Sequence, residues 1–283
     1  MSTGTATPAT KDDSVVPPDL TVDGESRSLL DRVLPYSVRA KIIVGLFILA
    51  FWEFGVRSFA PNYVARPSRT LPAVLPVLQR PDFWNAFNGT MTAMVQGLLL
   101  AVVAALVVGL AMGQVRWVGW SLRGYTNAFF SLPMIAVVPL ITMWTGYSDS
   151  ARLAIVVFAA YFPMVLNVYD GARSVSGHYL EVAKSYRAPR LSVWIGVVLP
   201  ASIPYLIAGF RLASGRALVA AVVAEYLVSI EGLGFFVLIN ARSFRHDEAM
   251  VGVFALMAVG ILLISLAKVA TRVLAPWYLV QQD

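Results

Sequence analysis

Residues 181–200 read EVAKSYRAPRLSVWIGVVLP, a polar stretch set between long apolar runs. Upstream of Ala188-Pro189, the residues Val175, Tyr179, Val182, Ala183 and Tyr186 fall at i, i+4, i+7, i+8 and i+11. That spacing is one apolar stripe of an amphipathic helix, with His178, Glu181, Lys184 and Arg187 lying off it. A residue before proline is steered away from helical geometry, whereas proline itself suits the first turn of a following helix, so the pair predicts a break. Leu191, Trp194, Ile195 and Val198 then give a second short helix an apolar face at i, i+3, i+4 and i+7, and Pro200 is expected to close it. Two short helices with a turn between them form a docking surface.

The rest of the chain explains why such a surface is surrounded by apolar sequence. Hydrophobic residues make up 58% of the 283, charged residues 13%, and mean hydropathy is +0.70. These values predict an integral membrane protein, and the span-length apolar runs that follow make the expected fold class all-α. Cysteine is absent, which excludes disulfides, thiolate metal sites and cysteine nucleophiles, and two histidines make no metal cluster. The net charge of +6 and pI of 9.7 do not point to nucleic acid, because the basic residues are dispersed over short loops rather than gathered in a patch.

Six spans can be read. Residues 1–35, rich in Ser, Thr, Pro and Asp, are expected to be a disordered cytoplasmic tail. The first span is Ala40 to Val56, flanked by Arg39, Lys41 and Arg57, with Glu53 near its outer end in reach of headgroup water. Residues 58–88 hold Pro61, Pro67, Pro72, Pro76 and Pro81 and read as an external loop. The second span, Thr90 to Gly113, ends in two glycines on one face, Gly109 and Gly113, which predict close approach of another helix. The third, Tyr125 to Thr145, contains Pro133 and Pro139, so it is expected to be a kinked helix lining a cavity. Ala151 to Val168 is the fourth. The fifth, Pro204 to Leu227, carries Arg211, Arg216 and Glu225, and ionisable residues at membrane depth face protein or water. After an external loop at 229–248 with a short, re-entrant apolar piece, Phe235 to Ile239, the sixth span runs from Met250 to Leu274 towards Pro276, Trp277 and Tyr278 at the interface. With the N-terminus inside, thirteen Lys and Arg fall on the cytoplasmic side and seven outside, which places the 181–200 loop in the cytoplasm.

Glu181, Ala183, Val197, Leu199 and Pro200 match, without a gap, the E-A-A pattern of permease subunits of bacterial ABC importers, with Val182 in place of an alanine. The chain resembles that family over about residues 40–275, and within it the group handling sulfonates, taurine and nitrate. Ala65-Arg66-Pro67-Ser68-Arg69-Thr70-Leu71, Pro133, Pro139-Leu140, Trp144-Thr145-Gly146, Tyr161-Phe162-Pro163, Asn167, Gly209-Phe210-Arg211, Val223-Ala224-Glu225 and Gly232-Leu233-Gly234 follow in the order seen there. The resemblance implies a permease domain over 36–283, with a coupling loop at about 171–200 that seats in a separate ATPase subunit. It assigns Glu181, Val182, Ala183, Arg187, Pro189, Leu199 and Pro200 to that coupling. It also implies an extracytoplasmic substrate-binding protein, a second permease copy and a bacterial plasma-membrane location.

Arg187 departs from the family's glycine. With Ala188 extended and Pro189 opening the second helix, Arg187 is expected to stay helical as a last-turn cation, and the turn is expected to depend on Pro189. No G-x-x-x-x-G-K-[S/T] run occurs, so ATP would be bound by the partner and the chain itself needs no cofactor. No catalytic constellation stands out: His178 and His246 both fall in loops, and Ser214-Gly215 has no partner for nucleophilic chemistry. Pro133, Pro139, Arg211, Arg216 and Glu225 are the candidates for a translocation path. The expected cargo is a sulfonate, taurine, nitrate or similar small anion. Two other readings stay open: a permease for a neutral or aromatic nutrient such as a pyrimidine precursor, and a secondary transporter using Arg211, Arg216 and Glu225 for ion coupling.

Overall fold

The computed structural model describes residues 36–61, 64–175 and 177–275. The expected tail at 1–35 and the aromatic cluster at 276–278 lie outside the described residues. The chain divides into a unit ending at Phe51 and a second unit, residues 52–283. Helix α1, Tyr36–Phe59, runs through the end of the first unit into the second and is long and apolar enough to cross a membrane.

The second unit is helical throughout its described residues apart from short connections. It contains α2 (Pro67–Leu78), α3 (Pro81–Gln114), α4 (Arg116–Phe130), α5 (Met134–Thr145) and α6 (Asp149–Arg173). These are followed by α7 (Gly177–Ser185), α8 (Arg190–Val193), α9 (Leu199–Val228), α10 (Leu233–Arg242) and α11 (His246–Leu274). With α4 and α5 counted as one broken span, six candidate spans result.

The core is a three-helix sandwich in which α6 packs against α3 on one side and α9 on the other. Gly97, Ala101, Ala105, Gly109 and Gly113 repeat every four residues along α3 and so lie on one face. A Cβ at Gly97 would come within 2.5 Å of Val156, one at Gly109 within 2.7 Å of Val168, and one at Gly113 within 2.5 Å of Ala172. Ala101 and Ala105 are fully buried. Lipid offers no hydrophobic drive for two apolar helices to meet, so association depends on van der Waals contact, which small residues permit at close range. The predicted close approach at Gly109 and Gly113 is therefore found, and it extends back to Gly97.

Three expectations about elements need correction. The proline-rich segment 58–88 is not a loop throughout: Pro67 and Pro81 stand in the first turns of α2 and α3, where a missing N–H costs nothing. Pro72 and Pro76 lie inside α2, which is tied down by tertiary contacts: Thr70 is buried, its hydroxyl bonds the Arg66 carbonyl and Asp247, and α2 packs on α11. The third span is not one kinked helix. Its halves, α4 and α5, meet at 104° across Ser131-Leu132-Pro133, because Pro133 has no N–H to continue the ladder and Ser131 turns its hydroxyl back to the Asn127 carbonyl. Pro200 does not close a helix. Residues 190–228 are helical without interruption, a wide-turn segment at Trp194–Val198 joining α8 to α9, and Pro200 sits in the first turn of α9.

Candidate functional sites

The first of the two anticipated short helices forms, as α7, whereas the second is only the beginning of the uninterrupted helical course from Arg190 to Val228. Glu181, Val182, Lys184 and Tyr186 are exposed and Ala183 is half-buried. Tyr179, Val182 and Tyr186, read as an apolar stripe, are 65%, 54% and 83% exposed, so this stripe has no cover in a single chain. An apolar patch rimmed by charge is what a protein-binding surface presents to water.

The turn itself is built differently from the expectation. Arg187 has φ of +50°, in the left-handed region, and is not the helical last-turn cation foreseen. The Arg187 N–H donates to the Lys184 carbonyl at 2.9 Å and the Ala188 N–H reaches back to the Ala183 carbonyl at 3.0 Å, closing α7 with the paired bonds of a Schellman cap. Arginine therefore occupies the conformation that the family's glycine would supply. Arg187→Gly should be neutral or stabilising by up to about 1 kcal/mol, since relief of the left-handed strain (about 1–2 kcal/mol) is partly offset by glycine's greater chain entropy. Melting temperature and ATP-driven uptake of the variant check this; a clear loss of both would mean that the arginine side chain itself is required. Pro189 is exposed and follows a break the cap has already made, so it does not carry the turn alone.

A cavity of about 700 Å³ opens between the end of α4, the middle of α6 and the middle of α9. Phe129, Phe130, Phe158 and Phe162 form its aromatic wall, and Arg211 and Arg216 supply its charge. The Phe129 and Phe162 rings stack at 5.5 Å, and Phe158 meets Phe162 edge-on at 4.9 Å. Arg216 lies over the Phe130 ring at 4.2 Å and donates to the Phe130 carbonyl at 3.3 Å. At 1.5 Å per residue, Arg211 and Arg216 stand roughly 18 and 26 Å from the start of α9, near mid-membrane. Both are exposed, and neither has a carboxylate partner among the described residues. A guanidinium facing lipid there would cost several kcal/mol, so this face must meet water, cargo or another protein surface. Such an arrangement has the chemistry to take an anion on guanidinium groups while the rings cover an apolar body.

Of the other candidates, Pro133 caps α5 between Leu132 and Met134, which do line the cavity, whereas Pro139 lies within α5 away from it. Glu225 is fully buried and stands on no cavity described. It joins a network that the sequence reading did not assemble. Thr90 Oγ1 donates to Glu225 Oε1 at 2.8 Å and accepts the Leu233 N–H at 2.7 Å, while the Gly234 N–H donates to Oε2 at 2.7 Å. Arg152 Nη1 lies 3.4 Å from Oε1 and donates to the Glu231 carbonyl at 2.8 Å, and Nη2 pairs with Asp149 at 2.6 Å. Gly232 has extended backbone, so its reason is space: a Cβ there would fall 2.1 Å from the Glu225 carboxyl carbon. The network ties α3, α6 and α9 to the start of the short helix α10. Arg152 and Thr90 were missed because each was read by position alone, Arg152 only in the count of basic residues outside and Thr90 only as a span's first residue. Opposite charges at the same end of two neighbouring apolar helices are the signal that pairs them.

Residues 97–280 match the family described as binding-protein-dependent transport system inner membrane component. The chain is similar to the formylaminopyrimidine transport permease protein ThiX of Halalkalibacterium halodurans, 26% identical over 238 residues, covering 82% of this chain and 93% of that one. It is also similar to the taurine transport system permease protein TauC of Escherichia coli, 24% identical over 253 residues, covering 86% and 92%. The putative aliphatic sulfonates transport permease protein SsuC of Bacillus subtilis is 29% identical over 239 residues, covering 83% and 86%. Among solved structures, the inward-facing MetNI methionine ABC transporter matches with a TM-score of 0.55 at 14% identity, over 72% of this chain and 98% of the matched one, a likeness of fold.

Proposed function

Because this chain belongs to the family of binding-protein-dependent transport system inner membrane components, we propose a working cycle for it as the membrane-spanning permease of an ABC importer. A separate ATPase subunit seats against Glu181, Val182, Ala183 and the Arg187–Pro189 turn, and a substrate-binding protein delivers cargo from the other side. Leu199 and Pro200, at the start of α9, carry the movement of the turn into the membrane, where the helices alternate access to a path that two permease copies enclose. The chain performs no covalent chemistry; ATP is hydrolysed by its partner. Residues 36–283 make up the permease domain, the N-terminus lies in the cytoplasm, and the protein resides in the bacterial plasma membrane. The thirteen-to-seven distribution of basic residues supports that orientation. Cysteines placed at Ser185 and Ser243 of this cysteine-free chain should react from opposite sides of the membrane, and labelling of both by an impermeant reagent from outside would show that orientation to be wrong.

The observation that carries the cargo assignment is the pair of exposed guanidinium groups at mid-membrane on one cavity. They favour a small organic anion, a sulfonate or taurine-like compound, over the ion-coupled carrier, which needs Glu225 on the path with them. The stacked Phe129 and Phe162 favour a second cargo of the same transport mode, an aromatic nutrient of the pyrimidine-precursor kind. Proteoliposomes holding the permease, its ATPase and its binding protein decide between these: ATP-dependent uptake of taurine or an alkanesulfonate supports the first, and uptake confined to an aromatic solute supports the second. Transport that persists without the ATPase would sink both.

A further inference from the structure

A second charged cleft, of about 460 Å³, lies between α4 and the end of α6, at the membrane side that also carries α7 and α8. Arg116, Arg123 and Arg173 converge on it. Arg123 and Arg173 each sit 5.5 Å from the Tyr169 ring, and Arg173 Nη1 donates to the Tyr169 hydroxyl at 2.8 Å, so the two guanidinium groups are held in place by the same buried tyrosine. None of the three pairs with a carboxylate among the described residues. Trp120, 84% exposed, stands on the rim, and the cleft lies at the end of the candidate span α6, beside the start of α4 where it follows α3.

These features specify a ligand. Three uncompensated cations within one cleft call for a phosphate or similar anion, for which guanidinium offers planar, bidentate recognition. An indole at the rim and the level of the cleft, at the ends of apolar spans, place it where headgroups lie and where indole rings settle. Basic pockets between transmembrane helices suit anionic headgroups in particular. We propose that this cleft binds the phosphodiester headgroup of an anionic phospholipid, with Arg116 and Arg123 gripping the phosphate and Trp120 resting against the glycerol and upper acyl chain. The site is separate from the cavity of Arg211 and Arg216, and it does not depend on which cargo that cavity takes.

The test uses the full permease bound to its ATPase in mild detergent, with phosphatidylglycerol, phosphatidylcholine or inorganic phosphate added, reading bound lipid by native mass spectrometry and melting temperature in parallel. Phosphatidylglycerol should be retained at about one molecule per permease chain and raise the melting temperature, more at low than at high salt. Phosphatidylcholine and inorganic phosphate should do neither. Arg116→Gln with Arg123→Gln should lower retention at least tenfold, whereas the Lys pair at the same positions should keep most of it; an unchanged melting temperature in phosphatidylcholine shows that each variant is folded. Undiminished retention in the Gln pair overturns the proposal. Equal stabilisation by inorganic phosphate would assign the cleft to a free anion instead. Retention by the isolated permease that disappears when the ATPase binds would make the cleft part of the subunit contact, which also overturns it.

Discussion

Glu225→Ala should lower stability by about 3–5 kcal/mol, because it removes one partner of a buried pair, leaves the buried donors around the carboxylate without an acceptor and opens a cavity. The Arg152 guanidinium keeps Asp149 and the Glu231 carbonyl, but Thr90 Oγ1 and the Gly234 N–H lose their acceptor. Helix α10 then keeps only the Thr90 bond to the Leu233 N–H and its apolar packing at its first turn, so the loss should show as early cleavage or faster amide exchange at 229–242 as well as a lower melting temperature. A well-packed apolar pair at these two positions need not cost as much, since a buried ion pair contributes little net stability over a hydrophobic replacement. Glu225→Leu with Arg152→Met should therefore be markedly more stable than Glu225→Ala. If Glu225→Ala melts like the native protein, the carboxylate is not what holds α10.

Arg216→Gln should leave folding and ATPase binding intact yet reduce uptake of an anionic cargo by about 10- to 100-fold. Hydrogen bonds to a charged group are worth about 1.5–3 kcal/mol, and glutamine keeps a donor but loses the charge and the second prong. The guanidinium makes one 3.3 Å bond to a carbonyl and rests on one ring, a small structural role that glutamine can approximate. Its loss should fall on transport, with little change in melting temperature. Uptake at the native rate would remove Arg216 from the path, and a large drop in stability would make it a scaffold residue.

The sequence was most readable where a single physical demand dominated. Apolar runs of span length placed α1, α3, α6, α9 and α11, and the glycines at the end of α3 announced the contact with α6, because in lipid both follow from local composition alone. The polar loop at 181–200 was legible for the opposite reason: charge there could only face water. Proline was the least transparent residue. At positions 67 and 81 it begins helices, at 72 and 76 it lies within one, and at 133 it turns the chain by 104°, outcomes that depend on which neighbours absorb the missing bond. Arg211 and Arg216 were recognisable as ionisable groups inside an apolar run. Glu225 was recognisable in the same way, but its partners lie on three other segments, and only tertiary structure shows that it faces them and not the cavity. The break after Tyr186 was legible from Ala188-Pro189, yet the left-handed backbone of Arg187 could not be read, since arginine seldom adopts it.

The uninterrupted course from Arg190 to Val228 makes the segment that follows the Arg187 turn and the arginines of α9 parts of one continuous helix. In an α-helix each residue advances the chain by 100°, so the direction in which Arg211 and Arg216 point is fixed in phase with the turn at Arg187. The wide segment at Trp194–Val198 sets that phase, because its looser winding delays the azimuth of everything after it. One residue gained or lost there would swing both guanidinium groups by about a quarter turn, away from the aromatic wall, with every contact of the docking surface still in place.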